Sequence, residues 1–272
     1  MVLPVGDINP TSRRAWVTGL LLAINAAVFL ILQVPLDRCE SLAFIYQWGA
    51  IPVELLTLQT ADISEVAARV GEAEACTFGE VDKSVPASAV SAMFLHGNLM
   101  HLLVNLLFLW IFGANVEDRL GHARYLGFYL GGGLIATYAF ALLNASAVVP
   151  MVGASGAIAA VLGAYLICYP RASVLTYVPF PLYLLALIIP GIRIRSFWLI
   201  FAIVTMPAWV LLGGWFVFQL NAAQAPAAGG GVAYEAHAAG FVAGVVLILI
   251  LDRGRQRRGK DPFHPPRGSR TR

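Results

Sequence analysis

Polar interruptions divide a mostly apolar chain into windows long enough to cross a bilayer, at residues 15–34, 93–113, 125–143, 155–169, 197–220 and 237–251. A spanning helix needs about 20 apolar residues, and fewer if it starts below the surface, so the pattern predicts six membrane helices in an all-α, polytopic bundle. Residues 174–190 (VLTYVPFPLYLLALIIP) are also apolar. A lone crossing there would reverse the direction of every later helix, and Pro179, Pro181 and Pro190 each remove a backbone donor that lipid cannot replace. This stretch is therefore read as interfacial or re-entrant. Residues 221–236 are rich in Ala and Gly, with Gly229-Gly230-Gly231 at the centre, and read as flexible cover. The pattern shows neither an internal repeat nor a second, soluble domain.

Composition places the chain in lipid. Of its 272 residues 59% are hydrophobic and 12% charged, against about 25% charged in soluble domains. The charges are segregated: residues 37–83 hold nine acidic and three basic side chains, and residues 252–272 hold eight basic and two acidic. Arg13 and Arg14 precede the first window. Arg119 and Arg124 separate the second from the third, Arg171, Arg193 and Arg195 follow the fourth, and the Arg253–Lys260 cluster follows the sixth. The positive-inside rule puts all of these in the cytoplasm. Residues 1–14 then form a cytoplasmic lead, 15–251 the membrane domain with an external first loop at 35–92, and 252–272 a basic cytoplasmic tail. Such a tail suits an anionic-lipid contact or a nucleic-acid arm; beside a membrane segment it reads as a topology anchor, and no nucleic-acid partner is expected. No cleavable signal peptide is expected, because no small-residue cleavage site follows the first apolar run. Cys39 and Cys76 share the external loop, where an oxidising surround permits a disulfide, while Cys168 is set apart.

Three polar insertions carry candidate chemistry. With this topology the second, fourth and sixth helices run inward, and they carry His96, His101 and Asn105; Ser155; and His237. Fourteen residues separate His101 from Asn115, Ser155 from Tyr169, and His237 from Leu251. At 1.5 Å per residue each polar group lies about 21 Å above the inner edge, hence about 9 Å below the outer surface. Intramembrane ionisable groups are costly and point to function. A serine needs an adjacent neutral imidazole to take its proton, which suits Ser155 and His237. His101 and Asn105 are four apart, share a helix face, and offer two N–H donors to an oxyanion, with the Ser155 backbone N–H as a third. No carboxylate lies within the fourth or sixth apolar window, so a dyad is expected rather than a triad; Glu235, two residues before His237, is the one carboxylate near enough to orient it, and an interfacial glutamate in a loop reads first as solvated. His96 and His101 are five apart and no HExxH occurs, so no metal is expected. Close approach of the two helices is allowed by Ser155, Ala159 and Gly163 on one and by Gly240 and Gly244 on the other. Taken singly, each feature has a plainer reading as helix packing or a hydrogen-bonded structural histidine.

These residues resemble the rhomboid intramembrane serine proteases. His96-Gly97-Asn98-Leu99-Met100-His101-Leu102-Leu103-Val104-Asn105 is similar to the family's H-x4-H-x3-N signature, and Asn115-Val116-Glu117-Asp118-Arg119-Leu120-Gly121 to the turn that follows it. Gly153-Ala154-Ser155-Gly156 looks like the family's GxSG, and His237-Ala238-Ala239-Gly240 with Gly244 like its H-x2-G-x3-G. The resemblance runs over about residues 15–251 and implies a six-helix rhomboid-like bundle in the plasma membrane of a bacterium. It implies Ser155 as nucleophile and His237 as base. His101 and Asn105 become oxyanion contacts, with His96, Gly153, Gly156 and Gly240 in support. The implied substrates are single-spanning membrane proteins, and no cofactor is required. Trp48-Gly49-Ala50-Ile51-Pro52 suits an interfacial element of the first loop.

Two departures stand out: Ala159 occupies a position where some relatives carry an aromatic that stacks on the catalytic histidine, and the 174–196 stretch is long for a link between helices. The rival readings are an inactive member of the same fold that only binds membrane proteins, and a histidine-using transporter. The first predicts loss of the serine or histidine and the second predicts repeats and intramembrane carboxylates; none of these is seen.

Overall fold

The computed structural model describes residues 2–69, 71, 76, 78, 81–179, 184, 188–198, 201–224 and 233–256. Its frame is a set of apolar helices: α1 (Trp16–Ala27), which continues as a wider π turn over Val28–Gln33, then α6 (Leu99–Leu120), α7 (His122–Leu143), α8 (Ser155–Cys168), α9 (Ala208–Ala222) and α10 (Tyr234–Gln256). Trp16–Gln33, Leu99–Leu120, His122–Leu143 and Tyr234–Asp252 are long and apolar enough to cross a membrane, whereas α8 and α9 have only 14 and 15 residues. Four short helices, α2 (Arg38–Trp48), α3 (Pro52–Thr57), α4 (Ile63–Arg69) and α5 (Val85–Ser91), build the first loop. The fold is mostly helical and belongs to a membrane protein.

The all-α expectation is corrected by a four-stranded antiparallel sheet formed by β1 (Leu3–Asp7), β2 (Ser173–Pro179), β3 (Arg193–Trp198) and β4 (Phe201–Pro207), in the order β1-β2-β4-β3. The expected helix over 197–220 is corrected with it, because Phe201–Pro207 is strand and the helix begins only at Ala208. The apolar stretch 174–190 begins in a strand, Ser173–Pro179, and not in a spanning helix; residues 180–183 and 185–187 lie outside the described residues. The reason is β chemistry inside an apolar run. Val174, Thr176 and Val178 point inward on β2, and Ala202, Val204 and Met206 do so on β4. β-branched side chains suit this half-buried pleat. The apolar members of that face join the same core as α6, α7 and α8.

One end of the bundle is fastened by polar contacts from the tail of α6. The Glu117 carboxylate accepts from the backbone N–H groups of Val17 (2.9 Å) and Thr18 (2.7 Å) and from the Thr18 hydroxyl (2.7 Å), a negative charge placed where the first turn of α1 has unpaired donors. Arg119 forks onto Asp252 of α10 at 3.0 and 2.7 Å. The Asp7 carboxylate of β1 accepts from the Tyr165 hydroxyl (2.6 Å) and from Asn115 Nδ2 (2.8 Å), and burial pushes its pKa up. The N-terminal lead is thus built into the fold as an edge strand tied to α6 and α8.

The other end is covered by the first loop. Asp37 caps α2 in a reciprocal box with Glu40, and Pro52 opens α3, where a missing N–H costs nothing. Glu54 and Lys83, both with fully buried side chains, form an ion pair, and the Lys83 ammonium also donates to the Gly49 carbonyl (3.1 Å) and lies 4.8 Å from the Tyr46 ring centre. Cys39 and Cys76 are disulfide-bonded across 37 residues. Closing a loop of that length contributes about 4 kcal/mol in the chain-entropy model. Cys39→Ser should accordingly lower the thermal midpoint of the detergent-solubilised protein, and reductant should do the same to the wild type but not to the variant. Free thiols at both positions in non-reduced peptides from native membranes would contradict the bond.

Candidate active site

The site lies at the loop-covered end, where α6, α8 and α10 begin. Asn98 caps α6 by accepting from the His101 N–H at 2.8 Å, which fixes the first turn and with it the His101 ring. His96, just before the cap, is buried and meets the His101 ring edge-on, with centroids 5.2 Å apart. Its backbone is clipped on both sides by Gln33: His96 N–H donates to Oε1 at 3.0 Å, and Gln33 Nε2 donates to the His96 carbonyl at 2.9 Å. The π turn of the first helix delivers this glutamine, an instance of a local irregularity serving a site.

Ser155 opens α8 and is held by the segment before it. Ala50 and Met151 exchange backbone hydrogen bonds of 3.1 and 2.7 Å, and Gly153 N–H donates to the Ala92 carbonyl at 2.8 Å. Gly153 adopts φ +125°, in the range that favours glycine. A Cβ there would stand 2.7 Å from His101 Cε1, 2.8 Å from Nε2 and 3.6 Å from the Ser155 hydroxyl. His101 and Ser155 therefore flank one glycine, with no room for a side chain between them. Asn105 lies one turn along α6 on the His101 face, only 5% exposed, and its Nδ2 is a buried donor without a hydrogen-bond partner.

His237 reaches the same place because α8 and α10 pack backbone to backbone. A Cβ on Gly240 would strike the Gly156 carbonyl, and one on Gly244 the Ala160 carbonyl. Both partner numbers rise together, so the helices are parallel and their N-terminal ends, bearing Ser155 and His237, lie side by side. The Ala159 Cβ would be 3.2 Å from a Gly240 Cβ; a large ring at position 159 would push α10 away. Here the ring comes from another element: Trp215 of α9 stacks on His237 with centroids 6.0 Å apart and planes at 30°. His237 Nδ1 is 3.0 Å from Gln219 Oε1, one turn further along α9. Tyr234 approaches the imidazole edge-on at 6.4 Å. Among the expected supporting residues, Gly156 faces Ala136 of α7, where a Cβ would be at 2.8 Å. Half of the 221–236 cover, residues 225–232, lies outside the described residues, as does the tail beyond residue 256.

Trp215 and Gln219 are the neighbours that a reading by motif passes over. Gln219 carried a usable signal: a polar side chain in an apolar window, four residues from an aromatic, and 4% exposed in the fold.

The Rhomboid domain family model matches residues 85–254, more than half of the chain. Rhomboid protein 1, mitochondrial, of Saccharomyces cerevisiae is 30% identical over 179 residues, 63% of this chain and 44% of that protein. Presenilin-associated rhomboid-like protein A, mitochondrial, of Danio rerio is 34% identical over 85 residues, 30% of this chain and 22% of that protein. The Bacillus subtilis protein named "Putative rhomboid protease YdcA" is 38% identical over 80 residues, 28% of this chain and 38% of that protein. The chain thus spans less than half the length of each of these relatives.

Proposed function

Because the chain belongs to the rhomboid family, we propose that it is an intramembrane serine endopeptidase with Ser155 as nucleophile and His237 as general base. His237 Nε2 takes the Ser155 hydroxyl proton as Oγ attacks the scissile carbonyl carbon, then gives it to the leaving amide nitrogen when the C–N bond breaks. Water, activated by the same ring, hydrolyses the acyl-serine. His101, Asn105 and the Ser155 backbone N–H serve the tetrahedral oxyanion; His96, Gly153, Gly156 and Gly240 hold the shape. The observation that carries the reading is that His101 and Ser155 flank Gly153, where a Cβ would meet both side chains, with the buried Asn105 amide one turn along from His101.

The substrates in this reading are single-spanning membrane proteins, cut in or near the transmembrane segment. Six helices cross the bilayer, with both termini cytoplasmic by the distribution of arginine and lysine, in a bacterial plasma membrane. α8, at 14 residues, is about 21 Å long against a core of about 30 Å, so a helix anchored at the inner face leaves Ser155 below the outer one. Incubating the solubilised protein with a panel of single-spanning substrates and locating the cut by mass spectrometry tests the proposal; an intact panel, together with a Ser155 inert to fluorophosphonate probes, would refute it.

Asn105→Ala should lower turnover about 10²–10³-fold, the usual cost of losing one oxyanion donor, with KM little changed. A rise in KM at unaltered kcat would make Asn105 a docking residue.

A further inference from the structure

Resting on that dyad reading, we infer that Gln219 is the third member of the catalytic group, a positioning residue that sets the tautomer of His237, with Trp215 fixing the plane of the ring. A neutral imidazole has one N–H. For Nε2 to accept the serine proton, the hydrogen must sit on Nδ1, and an Nδ1–H buried without an acceptor is costly. Gln219 Oε1, 3.0 Å from Nδ1, is that acceptor. The part is one that a carboxylate plays in Ser-His-Asp sites, taken here by a neutral amide, which suits lipid surroundings where a charge would be expensive.

Packing supports the assignment independently. Gln219 and Trp215 are one turn apart on α9 and address the same ring, one at its edge and one on its face. Phe216, beside Trp215, stacks on Phe241 of α10 with centroids 4.6 Å apart and planes at 18°, so α9 is seated against the helix that carries His237. The start of α9 is seated as well: Ala208 and Trp209 N–H groups donate to the Ala172 and Pro170 carbonyls at 2.9 and 3.0 Å. A histidine held by α9 in this way needs no ring from position 159, which is left small for the approach of Gly240.

Among the described residues, the titratable groups toward this end are His101 on α6 and Tyr234 and Glu235 on α10; α8 brings Ser155, and α9 meets the ring with the uncharged Trp215 and Gln219. Replacing the amide by a carboxylate should therefore be legible in a pH profile. Gln219→Ala should lower kcat about 10–100-fold, the usual scale for losing an orienting partner, with KM unchanged. Gln219→Glu should keep most of the activity and move the acid limb of kcat/KM to higher pH by about one unit or more, because an adjacent negative charge favours the imidazolium. Nitrogen NMR of selectively labelled histidine should find His237 as the Nδ1–H tautomer in the wild type and a mixture in Gln219→Ala. That measurement does not involve activity, so it separates the two ideas: an inert Ser155 in a protein with the expected tautomer would sink the dyad and leave the hydrogen bond. The positioning role is overturned if Gln219→Ala retains wild-type kcat, if an active Gln219→Glu shows an unmoved acid limb, or if the wild-type ring carries its proton on Nε2. Gln219→Met, similar in volume and without the acceptor, covers the case in which the alanine variant fails to fold, and should show the same loss of kcat.

Discussion

Ser155→Ala and His237→Ala should each reduce cleavage of a transmembrane substrate to background while leaving a folded, helical protein. In the proposed mechanism the first removes the hydroxyl that attacks, which lies beside His101 across Gly153, and the second removes the group that accepts its proton. In serine hydrolases the members of such a unit are worth about 10⁴–10⁶ in turnover, and their losses do not add, because once the nucleophile is gone the base has nothing to activate. The double variant should therefore be no slower than either single one. Neither change is expected to unfold the protein. Ser155 sits at a helix start held by the Ala50–Met151 and Gly153–Ala92 backbone bonds, and α10 is fixed by its contacts along α8 well past His237. Measuring cleavage, fluorophosphonate labelling and the thermal midpoint on the same preparations separates loss of chemistry from loss of fold. Near wild-type cleavage in either variant would remove that residue from the mechanism.

How much of this was legible before any coordinates is best judged residue by residue. The apolar windows at 93–113, 125–143, 155–169 and 237–251 overlap α6, α7, α8 and α10; the expected turn from Asn115 is instead helical to Leu120, and the break falls at Gly121, with φ +81°. The sheet was hidden by the same hydropathy that revealed the helices. A buried strand and a buried helix segment are both runs of apolar residues, and Phe201–Pro207 joins α9 with no polar break between them. The remaining signals were the β-branched Ile203, Val204 and Thr205, and Pro207, whose residue stays extended just before the helix. Matched depth along three helices suggested Ser155, His237, His101 and Asn105 as neighbours, since spacing along parallel helices converts directly into height. Lateral contacts do not. Which side chains of α9 face His237 depends on its rotation, which hydropathy does not carry, so neither Trp215 nor Gln219 can be assigned from the sequence. The Glu54–Lys83 pair was out of reach for a similar reason: two opposite charges in an acidic loop carry no sign that they will be buried together under Gly49.

Gly244→Val should cost both stability and activity, although it lies seven residues from His237 and touches nothing that reacts. The α8–α10 seam is a contact of backbone on backbone, in which a Cβ at 244 would occupy the place of the Ala160 carbonyl and one at 163 that of the Phe241 carbonyl. Small residues let membrane helices approach this closely, where the attraction is van der Waals contact. A valine cannot be absorbed by rotating a side chain, because the obstacle is main chain, so the helices must separate. Overpacking of this kind costs about 1–3 kcal/mol, and more where backbone has to move. The separation is inherited by the pair at the top of the seam: a displacement of about 1 Å between nucleophile and base is worth about 10²-fold in rate. The expected outcome is a lower thermal midpoint in detergent, slow cleavage of the transmembrane substrate and weak fluorophosphonate labelling of Ser155, all in one variant. Gly127→Ala on α7 is the matched control, since a Cβ there meets nothing within 4 Å, and it should leave all three readouts at their wild-type values. Wild-type melting and cleavage in Gly244→Val would mean that the seam tolerates a wider spacing, and that Ser155 and His237 are aligned by something other than the approach of α8 to α10.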